Sequence, residues 1–225
     1  MIEELFSTPI YTHKSTFDEV FLVQNELKNA LDDIRSNDIF EKPKGWEEDC
    51  STNIGHRFNT ILDYGLDNMK KFLAKHVTEY VSTVNPFITA DADYFLNHSW
   101  IAITGKGQSQ EWHAHTDAIV SGVYYYQTNG EDGDLWFRNP VPYTRIGLFP
   151  AGATSPEKVH VKPRVGNLVL FPGWLEHKVC VNTTDHERIV VSFNYNLKTI
   201  EREGLTNYKR VGDDVMIKKV TKDQK

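Results

Sequence analysis

Glu111-Trp112-His113-Ala114-His115-Thr116-Asp117-Ala118-Ile119-Val120-Ser121-Gly122-Val123-Tyr124-Tyr125-Tyr126 places imidazoles and a carboxylate at alternate positions, then runs directly into a β-branched and aromatic segment. Side chains two apart on an extended chain share a face. His113, His115 and Asp117 are therefore expected on one side, continued by Ser121, Val123 and Tyr125 if no bulge intervenes. Val120, Gly122, Tyr124 and Tyr126 then face the opposite layer.

The run itself extends over Ile119 to Thr128, and comparable short runs lie upstream at Ser99 to Thr104 and downstream at Asp134 to Arg138, Val159 to Val161, Asn167 to Phe171, His177 to Val181 and Arg188 to Leu197. Strands at this spacing predict a sandwich or an open barrel. The first part of the chain reads differently. Residues 5–12 suggest a short strand, and Val20, Leu22, Val23, Leu27, Leu31 and Ile34 predict a helix over Phe17 to Asp38. Leu62, Leu66, Met69, Leu73, Val77 and Val81 predict a second, long helix, stopped by Asn85-Pro86. The fold class is mainly β with α, two N-terminal helices packing on one sheet. A single domain over 1–225 is expected: a strand and helical layer to residue 90, a β core over 91–200, and a polar tail over 201–225.

A chain of 225 residues with 40% hydrophobic content can bury one sizeable core, and a net charge of −6 makes a nucleic-acid partner unfavoured. Two cysteines, Cys50 and Cys180, are too few for a disulfide framework and are not spaced for zinc. No apolar run approaches the ~20 residues of a membrane span, and the acidic start does not resemble a signal peptide. A cytoplasmic protein without membrane association is the expectation.

A divalent iron site that must also bind a chelating cosubstrate and dioxygen needs three protein ligands on one octahedral face, and two histidines with one carboxylate supply them. His115, Asp117 and His177, the last at the end of Gly166 to His177, fit that requirement. His113 shares the face and could displace Asp117; it is otherwise placed beside the metal or toward substrate. A cupin-type metal protein would use His113 and His115 together. The glutamate that should follow them is missing, since positions 119 and 120 are Ile and Val. Zinc hydrolysis also suits a His-x-His pair with a distal His, but leaves Arg188 unexplained. Alternation places Arg188 with Val190, Ser192 and Asn194, and a charged fork inside a barrel demands an anion, for which Tyr125 could complete the clamp. Trp112, Trp136 and the stretch from Asn139 to Pro163 are candidates for a substrate-facing wall and lid, although core packing is the simpler role for Trp136.

Together these residues resemble the Fe(II)/2-oxoglutarate-dependent oxygenase superfamily, and more closely a group of oxygenases found in bacteria and phages. The resemblance rests on Leu5 to Tyr11, Ser99-Trp100, His113 to Tyr125, Asn167 to His177, and Glu187-Arg188 leading into Ser192-Phe193-Asn194. It implies a double-stranded β-helix (jelly roll), iron held by His115, Asp117 and His177, and 2-oxoglutarate held through its far carboxylate by Arg188 assisted by Tyr125. Members of the closer group often lack a carboxylate where Asp117 stands. The implied activity is a dioxygenase that hydroxylates a protein side chain or small molecule, consuming dioxygen and releasing succinate and carbon dioxide. The alternative is a degenerate double-stranded β-helix that binds without catalysis.

Overall fold

The computed structural model describes residues 7–43, 50–56, 59–84, 94–141 and 157–197. Ten strands and three helices follow in chain order: β1 (Tyr11–Lys14), α1 (Phe17–Ser36), β2 (Ser51–Thr52), α2 (Thr60–Asp63), α3 (Asp67–Val84), β3 (Tyr94–Thr104), β4 (Gln110–His113), β5 (Val120–Gln127), β6 (Leu135–Arg138), β7 (Lys158–Val161), β8 (Asn167–Pro172), β9 (His177–Val179) and β10 (Arg188–Leu197). The expected tail and most of the Asn139 to Pro163 stretch lie outside the described residues.

Helix α1 starts where the sequence provides a reciprocal cap. The Glu19 amide donates to Thr16 Oγ1 at 3.3 Å, and the Thr16 amide donates to Glu19 Oε2 at 2.9 Å. Its buried stripe is Val23, Leu27, Ala30, Leu31 and Ile34, while Leu22 is exposed. The single long second helix predicted from the sequence is two. Gly65 takes a left-handed φ of 62°, and the amides of Leu66 and Gly65 return to the carbonyls of Ile61 and Leu62 at 2.9 and 3.2 Å. That hydrogen-bond pair closes α2 after one turn and leaves Leu62 exposed rather than on the buried face. α3 restarts on a carboxylate: Glu26 accepts from the amides of Asn68 and Met69, matching negative charge to the positive end of the helix.

The strands form two antiparallel sheets, a six-stranded one in the order β1-β8-β5-β10-β3-β2 and a four-stranded one in the order β4-β9-β6-β7. The two faces of β5 separate as its alternation predicts. Val120 and Tyr124 join Leu168, Leu170, Val191 and Phe193 beneath the helices. Val123 and Tyr125 turn the other way, against Val169, Phe171 and Val190 and, from the smaller sheet, Leu135 and Phe137. This is the double-stranded β-helix, its larger sheet covered outside by helices and its interior lined by the second face. Both cysteines are free thiols, and among the described residues no helix is long and apolar enough to cross a membrane.

The helical layer carries an acid-labile element. His76 is buried, and burial together with the charges of His13 and Lys75 pushes it down to about 4 against the opposing pull of Glu19 and Glu79. An unfolded histidine binds a proton near 6.5, so the unfolded state holds more protons between those two values. Stability from this group is present above pH 6.5 and lost as pH falls toward 4, on the order of 3 kcal/mol. Burial raises Glu19, but bonds from Thr16, His13 and Lys75 outweigh it and hold Glu19 at about 2, so its contribution is lost lower, between 4.5 and 2. Urea unfolding in the presence of chelator should show stability declining from pH 6.5 to 4 in the wild type. The slope should be shallower in His76→Gln; equal slopes would contradict this assignment.

Candidate metal centre and anion pocket

Three imidazoles converge at one end of the interior. β4 and β9 pair so that His113 and His177 are direct partners. His115 follows β4 on a turn fixed by its own amide, which donates to the Gly173 carbonyl at 2.8 Å. Ring centroids lie 4.2 Å apart for His113 and His177, 5.1 Å for His115 and His177, and 5.3 Å for His113 and His115. Each histidine offers one ring nitrogen, and the three nitrogens lie within 4.8 Å of one another.

In each ring, Nδ1 is committed. His113 Nδ1 meets the Glu111 carbonyl at 2.7 Å, and His177 Nδ1 meets the Leu175 carbonyl at 2.8 Å. Carbonyl oxygens only accept, so both rings carry their proton on Nδ1 and keep the Nε2 lone pair. His115 Nδ1 is 2.7 Å from Asn194 Oδ1, which also accepts from Ser121 Oγ at 2.8 Å. Such fixing of the remote nitrogen is how proteins orient imidazole ligands. Burial lowers His115, with Asn194 opposing and His113 adding to the shift. Burial and the two neighbouring histidines put His177 well below its ordinary value. Neutral imidazoles are the ligating form.

Asp117, expected beside His115, is not brought to this cluster. β4 ends at His113, and the Ala118 amide returns to the His115 carbonyl at 3.1 Å, so Thr116-Asp117 forms a turn and the two-residue alternation stops. The Asp117 side chain is 63% exposed and lies 3.8 Å from His98 Nδ1. His113, expected beside the metal or toward substrate, is the third imidazole of the cluster.

Arg188 is 3% exposed at the start of β10. It donates through Nη1 to the Gly133 carbonyl at 2.9 Å and through Nη2 to Thr104 Oγ1 at 2.8 Å, while its buried Nε has no partner. Gly133, at φ 111°, gives the guanidinium room: a Cβ there would stand 3.3 Å from Nη1 and collide with the Cys180 carbonyl. Among the described residues no carboxylate pairs with Arg188. A buried cation with an unsatisfied donor is costly unless an anion completes it, which is the property expected of a carboxylate-binding site. Tyr125 is buried opposite Val190, two residues along β10 from Arg188. Burial raises its phenol to about 12, against the opposing charge of Arg188, so it stays protonated and able to donate.

Arg188, Val190, Ser192 and Asn194 keep alternating register against β3, so one face of β10 carries both the arginine and the residue that orients His115. Asn194 and Ser121 were placed on inward faces by the sequence, but their bond to His115 depends on the pairing of Asn194 with Ser121 across β10 and β5. Asn194→Ala should weaken metal binding about 10-fold to 100-fold, read by equilibrium dialysis with Fe(II) under anaerobic conditions; unchanged affinity would show that His115 needs no such support. Trp136 alternates with the inward Leu135 and Phe137 and stacks on His160 at 5.2 Å. Trp112 lies beneath Arg138, 4.2 Å from its ring centre.

Two antiparallel sheets enclose an interior with three clustered imidazoles at one end and a buried arginine on β10, the architecture of a double-stranded β-helix. Residues 98–194 match the family model described as "Putative 2OG-Fe(II) oxygenase". Solved structures share the fold, three of them among those most similar. A prolyl-4-hydroxylase from Pseudomonas putida is 14% identical over 84% of this chain and 94% of its own, with TM-score 0.53. A prolyl hydroxylase from Trichoplax adhaerens, in complex with a hypoxia inducible factor peptide fragment, is 15% identical over 83% and 82%, with TM-score 0.55. The non-heme alpha ketoglutarate dependent carbocyclase SnoK from nogalamycin biosynthesis is 13% identical over 84% and 79%, with TM-score 0.58. No curated protein sequence matches the chain. The family match falls on the segment that carries the three imidazoles and Arg188, and the solved structures share its fold.

Proposed function

We propose that His113, His115 and His177 hold the iron, that Arg188 with Tyr125 anchors the far carboxylate of 2-oxoglutarate, and that the enzyme hydroxylates a C–H bond of a protein side chain or a small molecule. The observation that carries this reading is the pairing of features in one interior. Three imidazoles, each held at Nδ1, bring one ring nitrogen apiece to a common point, and a buried guanidinium keeps an unused donor. When bound, the iron supplies the redox chemistry that couples dioxygen reduction and decarboxylation of the oxo acid to oxidation of the substrate. The chain supplies orientation. Arg188 and the Tyr125 hydroxyl fix one end of the cosubstrate, and Asn194 and Ser121 hold His115. Phe137 and Phe171, whose rings pack 6.2 and 4.6 Å from His177, keep that side of the centre dry. Three neutral ligands leave the ion's full positive charge to be met by the oxo acid dianion, a stronger electrostatic demand for the cosubstrate than a carboxylate-containing set would make.

The test is aerobic incubation with Fe(II) and 2-oxoglutarate, with succinate measured and candidate peptides and metabolites examined by mass spectrometry for the gain of one oxygen. Succinate dependent on both iron and protein is expected, with a larger yield when a substrate is oxidised. No succinate above the metal-free control would overturn the enzyme reading in favour of a binding module.

A further inference from the structure

A second cluster lies on the far side of the larger sheet, between β1, α1 and α3. His13 projects from β1, Glu19 from the first turn of α1 and His76 from the buried face of α3. One ligand atom from each lies within 4.8 Å of the others. His13 Nε2 is 3.0 Å from Glu19 Oε2, and the His13 and His76 rings sit 4.0 Å apart.

The hydrogen bonds fix how His76 presents itself. The Tyr11 hydroxyl donates to Glu79 Oε2 at 3.0 Å, so its oxygen is left to accept from His76 Nδ1 at 2.8 Å. Nε2 of His76 then carries the lone pair. This atom is buried, has no hydrogen-bond partner, and stands 3.9 Å from Glu19 Oε1. Two acceptors thus face each other across a gap that neither can bridge, and a cation between them would satisfy both. Glu19 Oε2 is occupied by Thr16 and His13, while Oε1 meets the solvent-exposed end of Lys75, at 3.2 Å on a side chain 65% exposed. His13 and Glu19 are 23% and 22% exposed, which gives an ion a way in from solvent, with His76 as the floor.

We propose that His13, Glu19 and His76 form a second divalent transition-metal site, separate from the oxygenase centre, that fastens β1 to α1 and α3. Two imidazoles and one carboxylate with room for a water suit a zinc-like ion. Tyr11 and Glu79 act as the outer support that orients His76. Metal binding there would stabilise the edge of the larger sheet, because β1 pairs with β8, with His13 opposite Leu168.

The experiment uses full-length protein in which the oxygenase centre is disabled by His113→Ala and His115→Ala. Zn(II) alone is titrated by equilibrium dialysis against a competing chelator, with thermal unfolding in parallel. One tight equivalent and a raised melting temperature are expected to persist. Adding His13→Gln, a partly exposed position where the amide keeps similar volume and polarity, should weaken the binding on the order of 100-fold or more and abolish the thermal shift. Lys75→Ala should tighten binding several-fold by removing a competing cation from Glu19, a response that a purely structural hydrogen-bond cluster would not give. Absence of the tight equivalent in the disabled background, an affinity unchanged by His13→Gln, or an affinity not improved by Lys75→Ala would each overturn the site.

Discussion

Arg188→Met should cost the enzyme its cosubstrate while leaving the apo fold intact. Removing one partner of a buried, hydrogen-bonded charge pair typically costs about 2–5 kcal/mol of binding, so 2-oxoglutarate affinity should fall roughly 30-fold to several thousand-fold. Without cosubstrate, Arg188 is a desolvated cation with an unused Nε. A buried ion exchanged for an apolar side chain of similar length is often neutral or stabilising. The apo protein should therefore unfold within about 1 kcal/mol of the wild type, the bonds lost to Gly133 and Thr104 offsetting the relieved desolvation. Cosubstrate at 100 times its dissociation constant stabilises a protein by about 2.7 kcal/mol, and that shift should vanish in Arg188→Met. A variant that unfolds readily in the apo form yet keeps its cosubstrate-induced shift would mean that Arg188 is a packing residue.

His113→Ala and Asp117→Ala should separate sharply. His113 stands in register with His177 and presents Nε2 to the other two imidazoles, so its loss removes one of three ligands. Iron affinity should drop by at least 100-fold, beyond the 10-fold to 100-fold typical of outer supports, and succinate formation should fall to background. Asp117 is a solvated turn residue near His98, and exposed pairs of that kind contribute about 0–1 kcal/mol. Asp117→Ala should retain iron affinity within a few-fold. Anaerobic Fe(II) titrations of both variants decide it: a larger loss for Asp117→Ala would restore the carboxylate-containing set.

Much of this architecture was legible because alternation is a local property. Val123 and Tyr125 against Val120 and Tyr124 could be assigned to opposite layers from residue types alone, and the spacing of Val23, Leu27, Leu31 and Ile34 marks α1. The failures share a cause: each involves a departure from periodicity. The helix break needed only Gly65, whose left-handed conformation ends α2, but a pattern of leucines three and four apart runs through it unchanged. Asp117 stands apart from the imidazole cluster for the same reason. Extending the strand parity of His113 and His115 by two residues reaches Asp117, whereas the chain turns at Thr116-Asp117, residue types that favour turns. Asn194 behind His115, and Gly133 and Thr104 around Arg188, are partners brought from distant strands. Inward-facing parity narrows the candidates for such roles, but only register identifies which of them meet.

The central claim is that this interior assembles iron on His113, His115 and His177 with 2-oxoglutarate anchored at Arg188. Anaerobic addition of Fe(II) and 2-oxoglutarate, read as the weak visible metal-to-ligand absorption of the chelated oxo acid, tests it most directly. The band should appear in the wild type and in Asp117→Ala and be absent from His113→Ala and Arg188→Met at the same concentrations. A wild type without the band, or a band that survives His113→Ala and disappears in Asp117→Ala, would contradict the account.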